Sequence, residues 1–423
     1  MKVNSDGFGK RSNVAVPYRT AKKGIPRRTR NSCIFLIVPE KSSVTLERSR
    51  HMSRDPLYTP LCRLLGIRLP IIQAGMAGGP TTPQLVAAVS EAGGLGTLGA
   101  AYMEPEAIRE AVRAVRRLTA KPFSVNLFVA PMRDDYTRQA EVQPVIDRLG
   151  AELGVPARAG TEPSPTPDRL ERQFAVLLEE GVPIISTAFG PLPGPLGQAA
   201  REAGRLVTTM VTTVEEARLA EAAGCDVLIA QGSDAGGHRG TFDAERYPYG
   251  ALVGTFSLVP QIADRANVPV VAAGGVMDGR GLAAALLLGA QGAQLGTRFL
   301  TAVESGAHAA YKEALLAGSE EDTVVTRWFS GRPARGLCNR FIEEAERSGI
   351  PPMPFPSHNT ATGPIRQAAA KQSNPDYMSL WTGQAIRLLT RDTPAAKIVR
   401  DIAEQARTLL AGTGTGADER DPH

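Results

Sequence analysis

The sequence is poor in cysteine and aromatic residues and has no long apolar run. Four of its 423 residues are cysteines, and 5% are aromatic. The cysteines are far apart and form no C-x-x-C pair, so neither a zinc site nor a disulfide framework is indicated, and we predict no bound metal. No apolar stretch approaches the ~18 residues of a membrane span or the about 7–15 residues of a signal-peptide core. We therefore expect a cytoplasmic protein with reduced thiols and no membrane partner.

Positive charge is in excess, but it is concentrated at one end of the chain. A net charge of +5 suggests nucleic acid as a partner. However, residues 1–51 hold twelve basic residues and three acidic ones, so the rest of the chain is mildly acidic. The same 51 residues mix basic side chains with Ser, Asn, Pro and Gly and have no helical or strand periodicity, which predicts a disordered basic arm. We therefore predict no nucleic-acid partner for the body of the protein.

The basic arm has two interpretations. It is either a functional tail or targeting segment, or an extension from an upstream start codon. We favour the second interpretation because Met52 begins a sequence that is globular without the arm.

From residue 70 the sequence alternates between short apolar stretches and helical patterns rich in Ala, Leu, Glu and Arg. Continuously apolar strands predict a parallel sheet that is covered on both faces. Eight strands alternating with helices favour a (β/α)8 TIM barrel, and the absence of G-x-G-x-x-G after the first strand makes an open doubly wound sheet the second choice. The predicted strands are 70–73, 94–99, 123–128, 183–189, 206–211, 227–231, 269–273 and 293–299, and the helices include 84–91, 105–118, 168–180, 214–223 and 279–288.

The α/β pattern also predicts the domain organisation. We assign 52–303 to the barrel, with an insertion at 131–167 that is rich in Pro and charge and could form part of a lid. Residues 304–412 mix helix and loop and are expected to cap the barrel mouth, and 413–423 form a disordered tail.

Candidate site residues follow from the rule that barrel enzymes place their chemistry at the carboxyl ends of the strands. Gly274-Gly275 and Gly296-Thr297 end the last two strands, where backbone N–H groups without an obstructing Cβ can bind a phosphate. His238 lies in a glycine loop, 231–240, that follows the sixth strand, and it is a candidate proton donor or acceptor. Asn126 and Gln231 end two further strands and suit a heteroaromatic ring, although either amide could simply hold a loop.

Six segments, in this order along the chain, resemble the nitronate monooxygenase family, formerly called 2-nitropropane dioxygenases. The resemblance covers about residues 56–410 and implies an FMN-dependent barrel with a cap. The segments are Ile71-Ile72-Gln73-Ala74-Gly75-Met76, Ser124-Val125-Asn126, 230–240, Ala272-Ala273-Gly274-Gly275, Gln294-Leu295-Gly296-Thr297-Arg298-Phe299 and Leu380-Trp381-Thr382-Gly383-Gln384.

The resemblance also implies roles for individual residues. His238 is the implied catalytic residue. The implied FMN-binding residues are Gln73, Ala74, Gly75, Met76, Asn126, Gln231, Gly236, Gly274, Gly275, Gln294, Leu295, Gly296 and Thr297. Two positions depart from the family pattern: Gly75 stands where Pro is common, which predicts a looser turn, and Asp234 stands where Glu is common.

The reaction that the resemblance implies is the oxidation of an alkyl nitronate by O2 to a carbonyl compound and nitrite, with detoxification as its implied purpose. An alternative keeps the flavin but uses NAD(P)H to reduce an enoyl thioester or a quinone. In enoyl reductases of this type the position of Gln231 tends to be Glu, so Gln231 favours the oxygenase. A dehydrogenase of the inosine-monophosphate type would need a nucleophilic Cys after a late strand, but Cys225 precedes its strand and Cys338 lies outside the barrel.

Overall fold

The computed structural model describes residues 55–412 except 159 and 161–164. The predicted basic arm, 1–51, and the predicted tail, 413–423, lie outside the described residues. Within the described part of the chain, no helix is both long enough and apolar enough to span a membrane.

The described chain folds as alternating strands and helices followed by a mixed region. The strands are β1 (Ile71–Gln73), β2 (Gly96–Gly99), β3 (Phe123–Phe128), β4 (Ile184–Ala188), β5 (Leu206–Val211), β6 (Val227–Gln231), β7 (Gly237–His238), β8 (Val270–Ala273), β9 (Gly292–Leu295), β10 (Thr323–Thr326) and β11 (Ala334–Leu337). The helices are α1 (Pro60–Leu65), α2 (Pro83–Ala92), α3 (Pro105–Leu118), α4 (Gln139–Ala151), α5 (Leu170–Glu179), α6 (Gly194–Glu202), α7 (Val214–Ala222), α8 (Thr255–Ala263), α9 (Gly279–Leu287), α10 (Thr297–Leu300), α11 (Ala309–Ala317), α12 (Arg340–Arg347), α13 (Ser357–Lys371) and α14 (Ala395–Gly412).

Eight of the strands form the predicted TIM barrel. All eight run parallel, in the order β1-β9-β8-β6-β5-β4-β3-β2. Two backbone hydrogen bonds, from Gln73 N to Leu95 O and from Leu95 N to Ile71 O, both 2.9 Å, join the first strand to the second and complete the circle. At the amino-terminal end, Leu61 and Leu65 of α1 pack against Ile184 and Val227, which lie at the starts of their strands. The opposite end is left open for a site.

The predicted strand and helix positions agree with the structure to within about three residues, with one correction. The last barrel strand was predicted to continue to Phe299, but β9 ends at Leu295 and the chain then forms the short helix α10. The prediction was wrong here because the apolar run continues without a break. The apolar Phe299 and Leu300 are buried from a helix instead of a strand.

The mixed region has its own apolar core, and we call the region around that core the cap. Trp328, Phe329 and Phe341 lie at its centre, and Val142 and Ile146 from α4 pack into the same core. Helix α4 belongs to the insertion at 131–167, so the insertion packs within the cap core.

Two contacts connect the cap to the barrel. In the first, β7 pairs antiparallel with β11, which places His238 opposite Ala334. In the second, α14 returns from the cap region and packs on α9 and α2 of the barrel, with Ile402 and Ala406 buried in the same core as Leu85 and Leu282. Gly279 permits this close approach because a Cβ there would lie 2.5 Å from Ala406 N.

Candidate active site

A cavity of about 1000 Å³ lies at the carboxyl ends of the barrel strands, between the barrel and the cap. This volume is at the upper end of the ~300–1,000 Å³ that is usual for small-molecule sites. Thirteen of the fourteen predicted site residues line it: Ala74, Gly75, Met76, Asn126, Gln231, Gly236, His238, Gly274, Gly275, Gln294, Leu295, Gly296 and Thr297.

Gln73 is the predicted site residue that does not line the cavity. It is fully buried, and its side-chain amide donates to Thr97 O at 3.2 Å and accepts from Thr97 N at 3.0 Å. Its side chain therefore joins β1 to β2 behind the cavity wall.

One end of the cavity is built from backbone. Gly274 and Gly275 have φ of +114° and +72°, a conformation that side chains rarely adopt. The N–H groups of Gly275, Val276 and Gly296 have no protein acceptor among the described residues. Thr297 Oγ1 accepts from Gly383 N at 3.0 Å, which leaves its own hydrogen available to a ligand. The N–H groups of Gly275, Val276 and Gly296 and the Thr297 hydroxyl therefore offer several hydrogen-bond donors to an anion. We call this part of the cavity the cradle end, and its donors the cradle.

Asp234, the residue that departs from the family pattern, fastens the loop beside this end. Its Oδ2 accepts from Thr255 N at 2.9 Å and from Thr255 Oγ1. Because Thr255 is the first residue of α8, the carboxylate occupies the amino terminus of that helix.

Gly75, the other departure, lies against Asn126. A Cβ at Gly75 would be 2.6 Å from Asn126 Cβ, so the glycine allows a close approach. Asn126 donates from Nδ2 to Ser186 Oγ at 3.1 Å. Its Oδ1 has no donor among the described residues and is available to a ligand.

The side chain of Gln231 holds the histidine loop. Its Nε2 donates to His238 O at 3.0 Å, and its Oε1 accepts from Gly240 N at 2.8 Å. The buried Arg239 adds two bonds, to Gly232 O at 2.6 Å and to Gln231 O at 2.8 Å. Of the two alternatives for this amide, binding a ring or holding a loop, the structure displays the second.

His238 lies in another part of the cavity wall, which we call the histidine end, among aromatic rings. The ring centroids of Phe128, Phe189 and Trp381 lie 6.0, 5.8 and 5.4 Å from that of the imidazole. Phe189 holds its position with φ of +75°, which is rare for a bulky residue and is typical of functional sites.

Burial and positive charge keep the His238 imidazole neutral. Its Nε2 lies 2.8 Å from Ser330 Oγ in the cap. Burial, followed by the charges of Arg332 and Arg366, lowers the pKa of His238 to about 3. A neutral imidazole can donate one hydrogen bond and accept another, but it is a weak base.

Gly236 lines the cavity and also has a packing role. A Cβ at this position would lie 2.3 Å from the carbonyl carbon of Thr382. The glycine is therefore needed for close packing against the segment that carries Trp381, in addition to any contact with a ligand.

Two other histidines and Cys225 make contacts that indicate a structural role. His358 is fully buried and bonded to Trp328 O, and His308 accepts from Ala310 N at the start of α11. Burial raises the pKa of Cys225 to about 12, which is unlike a nucleophilic thiol.

Sequence reasoning missed the residues that the cap contributes, above all Ser330 and Arg366. Neither follows a barrel strand, so the rule that located the other residues does not apply to them. Trp381 could have been found, because it lies in the last of the six segments that resemble the family.

Comparisons with known proteins agree with this geometry. The profile of a family described as nitronate monooxygenase matches residues 59–405. A probable nitronate monooxygenase of Staphylococcus saprophyticus is 40% identical over 359 residues, which is 84% of this chain and 99% of that protein. Another, of Staphylococcus haemolyticus, is 41% identical over 357 residues, covering 83% of this chain and 97% of that protein.

Two solved structures are also similar. Nitroalkane oxidase from Streptomyces ansochromogenes has a TM-score of 0.76 and 39% identity, over 84% of this chain and 99% of that chain. FabK from Thermotoga maritima has a TM-score of 0.67 and 32% identity, over 84% and 98%.

Proposed function

Because this chain belongs to the nitronate monooxygenase family, a family of oxidoreductases, we propose that it binds FMN and oxidises alkyl nitronates with O2 to a carbonyl compound and nitrite. The observation that carries the proposal is the pairing, in one cavity, of a backbone cradle with a neutral histidine. The cradle suits a phosphate, and the histidine suits an anionic substrate that needs no strong base.

The residues fit FMN at the cradle end. The N–H groups of Gly275, Val276 and Gly296 and the Thr297 hydroxyl are available to a phosphate. The carbonyl oxygen of the Asn126 amide is available to a donor on the flavin ring. The chemistry that bound FMN supplies is oxidation of the nitronate, which O2 completes.

His238 acts on the substrate end. A nitronate has already lost its α-proton, so the enzyme has no carbon acid to deprotonate. With a pKa near 3, His238 is a poor base for a neutral nitroalkane, but it can donate a hydrogen bond to a nitro oxygen. The Ser330 hydroxyl orients the imidazole ring. The two hydrogen bonds of the Gln231 side chain, which we call the Gln231 clamp, hold the backbone that carries this ring.

The Gln231 clamp also bears on the alternative reaction, the reduction of an enoyl thioester or a quinone by NAD(P)H. An ionised Glu at this position could accept from Gly240 N but could not donate to His238 O, so the clamp as observed requires the amide. This supports the oxygenase over the reductase.

One experiment separates the two reactions. The purified protein is first scanned for flavin absorbance and then mixed without oxygen, in separate samples, with ethyl nitronate and with NADH. We expect the nitronate to bleach the flavin, and nitrite to form with turnover when air is admitted. Bleaching by NADH alone would support the reductase, and a protein that is colourless and does not take up added FMN would exclude both flavin reactions.

A further inference from the structure

Arg366 places a guanidinium with free donors in the wall of the cavity. It lies on α13 of the cap, and its hydrogen bonds to the described residues are both made by Nη2, to Asn359 O at 2.6 Å and to Asn359 Oδ1 at 2.9 Å. Its Nε is buried without a partner, and Nη1 has no acceptor among the described residues. Asn359 is itself uncharged, so these bonds hold the guanidinium without neutralising it.

A second cation, Arg332, lies against the aromatic wall, by which we mean the rings of Phe128, Phe189 and Trp381 around His238. The guanidinium carbon of Arg332 is 4.0 Å from the centroid of the Phe189 ring, and that ring is 5.8 Å from His238. Arg332 donates to Thr241 O, a neutral carbonyl, and its Nε is buried without a partner. Two arginines therefore approach the histidine end from two parts of the cap.

The charges of Glu216 and Asp243 act on Arg332, but from beyond ion-pair distance. Neither arginine forms an ion pair within the described part of the chain. The acidic residue in the cavity wall, Asp234, is engaged with Thr255 beside the cradle. Burial lowers the pKa of Arg332 to about 10 and also lowers that of Arg366, which reflects the cost of holding both charges out of water.

A buried arginine and a half-buried one, with unpaired donors and no carboxylate in an ion pair with either, are suited to an anion that arrives with the substrate. We propose that Arg366 binds an oxygen of the anionic substrate, with Arg332 reinforcing the positive field, and that this pair makes the enzyme select nitronates over neutral nitroalkanes. The inference rests on the proposed function for the identity of the anion, but the anion site itself does not depend on turnover.

The test uses nitrate, a planar monoanion with the same trigonal oxygen arrangement as a nitronate head group. Nitrate is titrated into the full-length protein saturated with FMN, so that the cradle is occupied, and binding is followed by tryptophan fluorescence. Trp381 lies 5.4 Å from His238, whereas Trp328 is buried in the cap core, so Trp381 reports on the proposed site.

Three variants make the comparison. Arg366→Gln removes the charge, and we expect it to weaken nitrate binding by about tenfold or more, as for the loss of a charge-assisted bond. Arg366→Lys retains the charge and should recover part of the affinity. Arg340→Gln changes the net charge equally on the exposed face of α12 and should bind nitrate as the wild type does.

The outcomes separate the anion site from the reaction. If Arg366→Gln folds, as judged by its melting temperature, and binds nitrate as tightly as the wild type, the proposal is overturned. It is also overturned if Arg340→Gln loses the same affinity. If nitrate binding depends on Arg366 but no nitronate yields nitrite, the anion site stands and the proposed function fails. In an active enzyme, Arg366→Gln should lower kcat/KM for ethyl nitronate but not for neutral nitroethane.

Discussion

The two ends of the cavity are built in different ways. The cradle end is made by the barrel, through backbone N–H groups at two glycine turns, Gly274-Gly275 and Gly296-Thr297. The histidine end is made by side chains, and several of them, such as Ser330 and Arg366, come from the cap, more than 90 residues further along the chain than His238. One end is built from the ends of two neighbouring strands, and the other is assembled from distant segments.

This difference indicates a division of labour. Backbone donors suit a phosphate because they need no particular side chain and are fixed by the strands. Side chains from a separate layer can be exchanged without disturbing the barrel, which is how a barrel changes its substrate. Mutations at the two ends should therefore have separable effects, one on cofactor retention and the other on turnover.

The largest expected effect is at the histidine end. His238→Asn removes the imidazole that faces the substrate and should cut nitronate turnover by ~10²-fold or more. FMN should remain bound, because the cradle is untouched. The measurements are steady-state nitrite formation and flavin absorbance after gel filtration. Wild-type rates in this variant would remove His238 from the mechanism, and loss of the flavin would show that the two ends are not separable.

The converse change is at the cradle. Gly275→Val places a β-branched residue at φ of +72°, where an L residue is strained, and should weaken FMN binding by at least about tenfold. Turnover at saturating FMN should change much less. The measurement is FMN affinity by fluorescence titration.

Gly204→Val is the matched control for that variant. Gly204 has φ of +65° in an exposed turn, with open space around its missing Cβ. It should lose similar stability but retain FMN affinity. If both variants lose the cofactor equally, strain in the fold rather than the cradle explains the loss.

A smaller effect is expected from the bond between cap and histidine. Ser330→Ala leaves His238 Nε2 without its 2.8 Å partner, so the ring is less well oriented. We expect kcat to fall about two- to tenfold, in line with one neutral hydrogen bond, while nitrate affinity stays unchanged. A variant that loses nitrate affinity as much as kcat would indicate general damage to the cap, because Ser330 Oγ also accepts from Arg332 N.

The same division explains what the sequence could predict. The barrel was predictable because each strand is a short apolar run that ends at Gly or a polar residue, and parallel strands place those ends at one mouth. Gly275 and Thr297 could thus be placed at the barrel mouth from position alone, and both line the cavity there. The breaks in apolar periodicity also placed α3 at the observed residues, 105–118.

The rest depended on tertiary contacts that no local pattern contains. Gln73 ends a strand as Gln231 does, yet its amide turns to the neighbouring strand and not to the cavity. Arg366 lies on a helix with no motif, and its importance comes from the absence of a nearby carboxylate, which only the packing reveals. The aromatic wall likewise combines Phe128, Phe189 and Trp381 from three separate segments.

The smallest effect concerns acid, and it should again distinguish the two ends. Burial lowers the pKa of His358, in the cap core, to about 3, and that of His238 falls to the same value. An unfolded histidine has a pKa near ~6.5, so between these values the unfolded chain binds more protons than the native one. Stability is therefore fully present above pH ~6.5 and falls as the pH drops toward 3.

His358→Gln tests this dependence, because the glutamine amide can still donate to Trp328 O, as the imidazole Nε2 does at 2.7 Å. We expect the free energy of unfolding of this variant to depend less steeply on pH between about 6 and 4 than that of the wild type. The difference in slope should correspond to the uptake of up to about one proton fewer on unfolding, measured by denaturant titration at each pH.

Because both buried histidines belong to the histidine end and the cap, wild-type nitronate turnover should be lost on acidification before FMN is released. If the flavin leaves first, the acid-sensitive part is the cradle, and the contrast between the two ends fails.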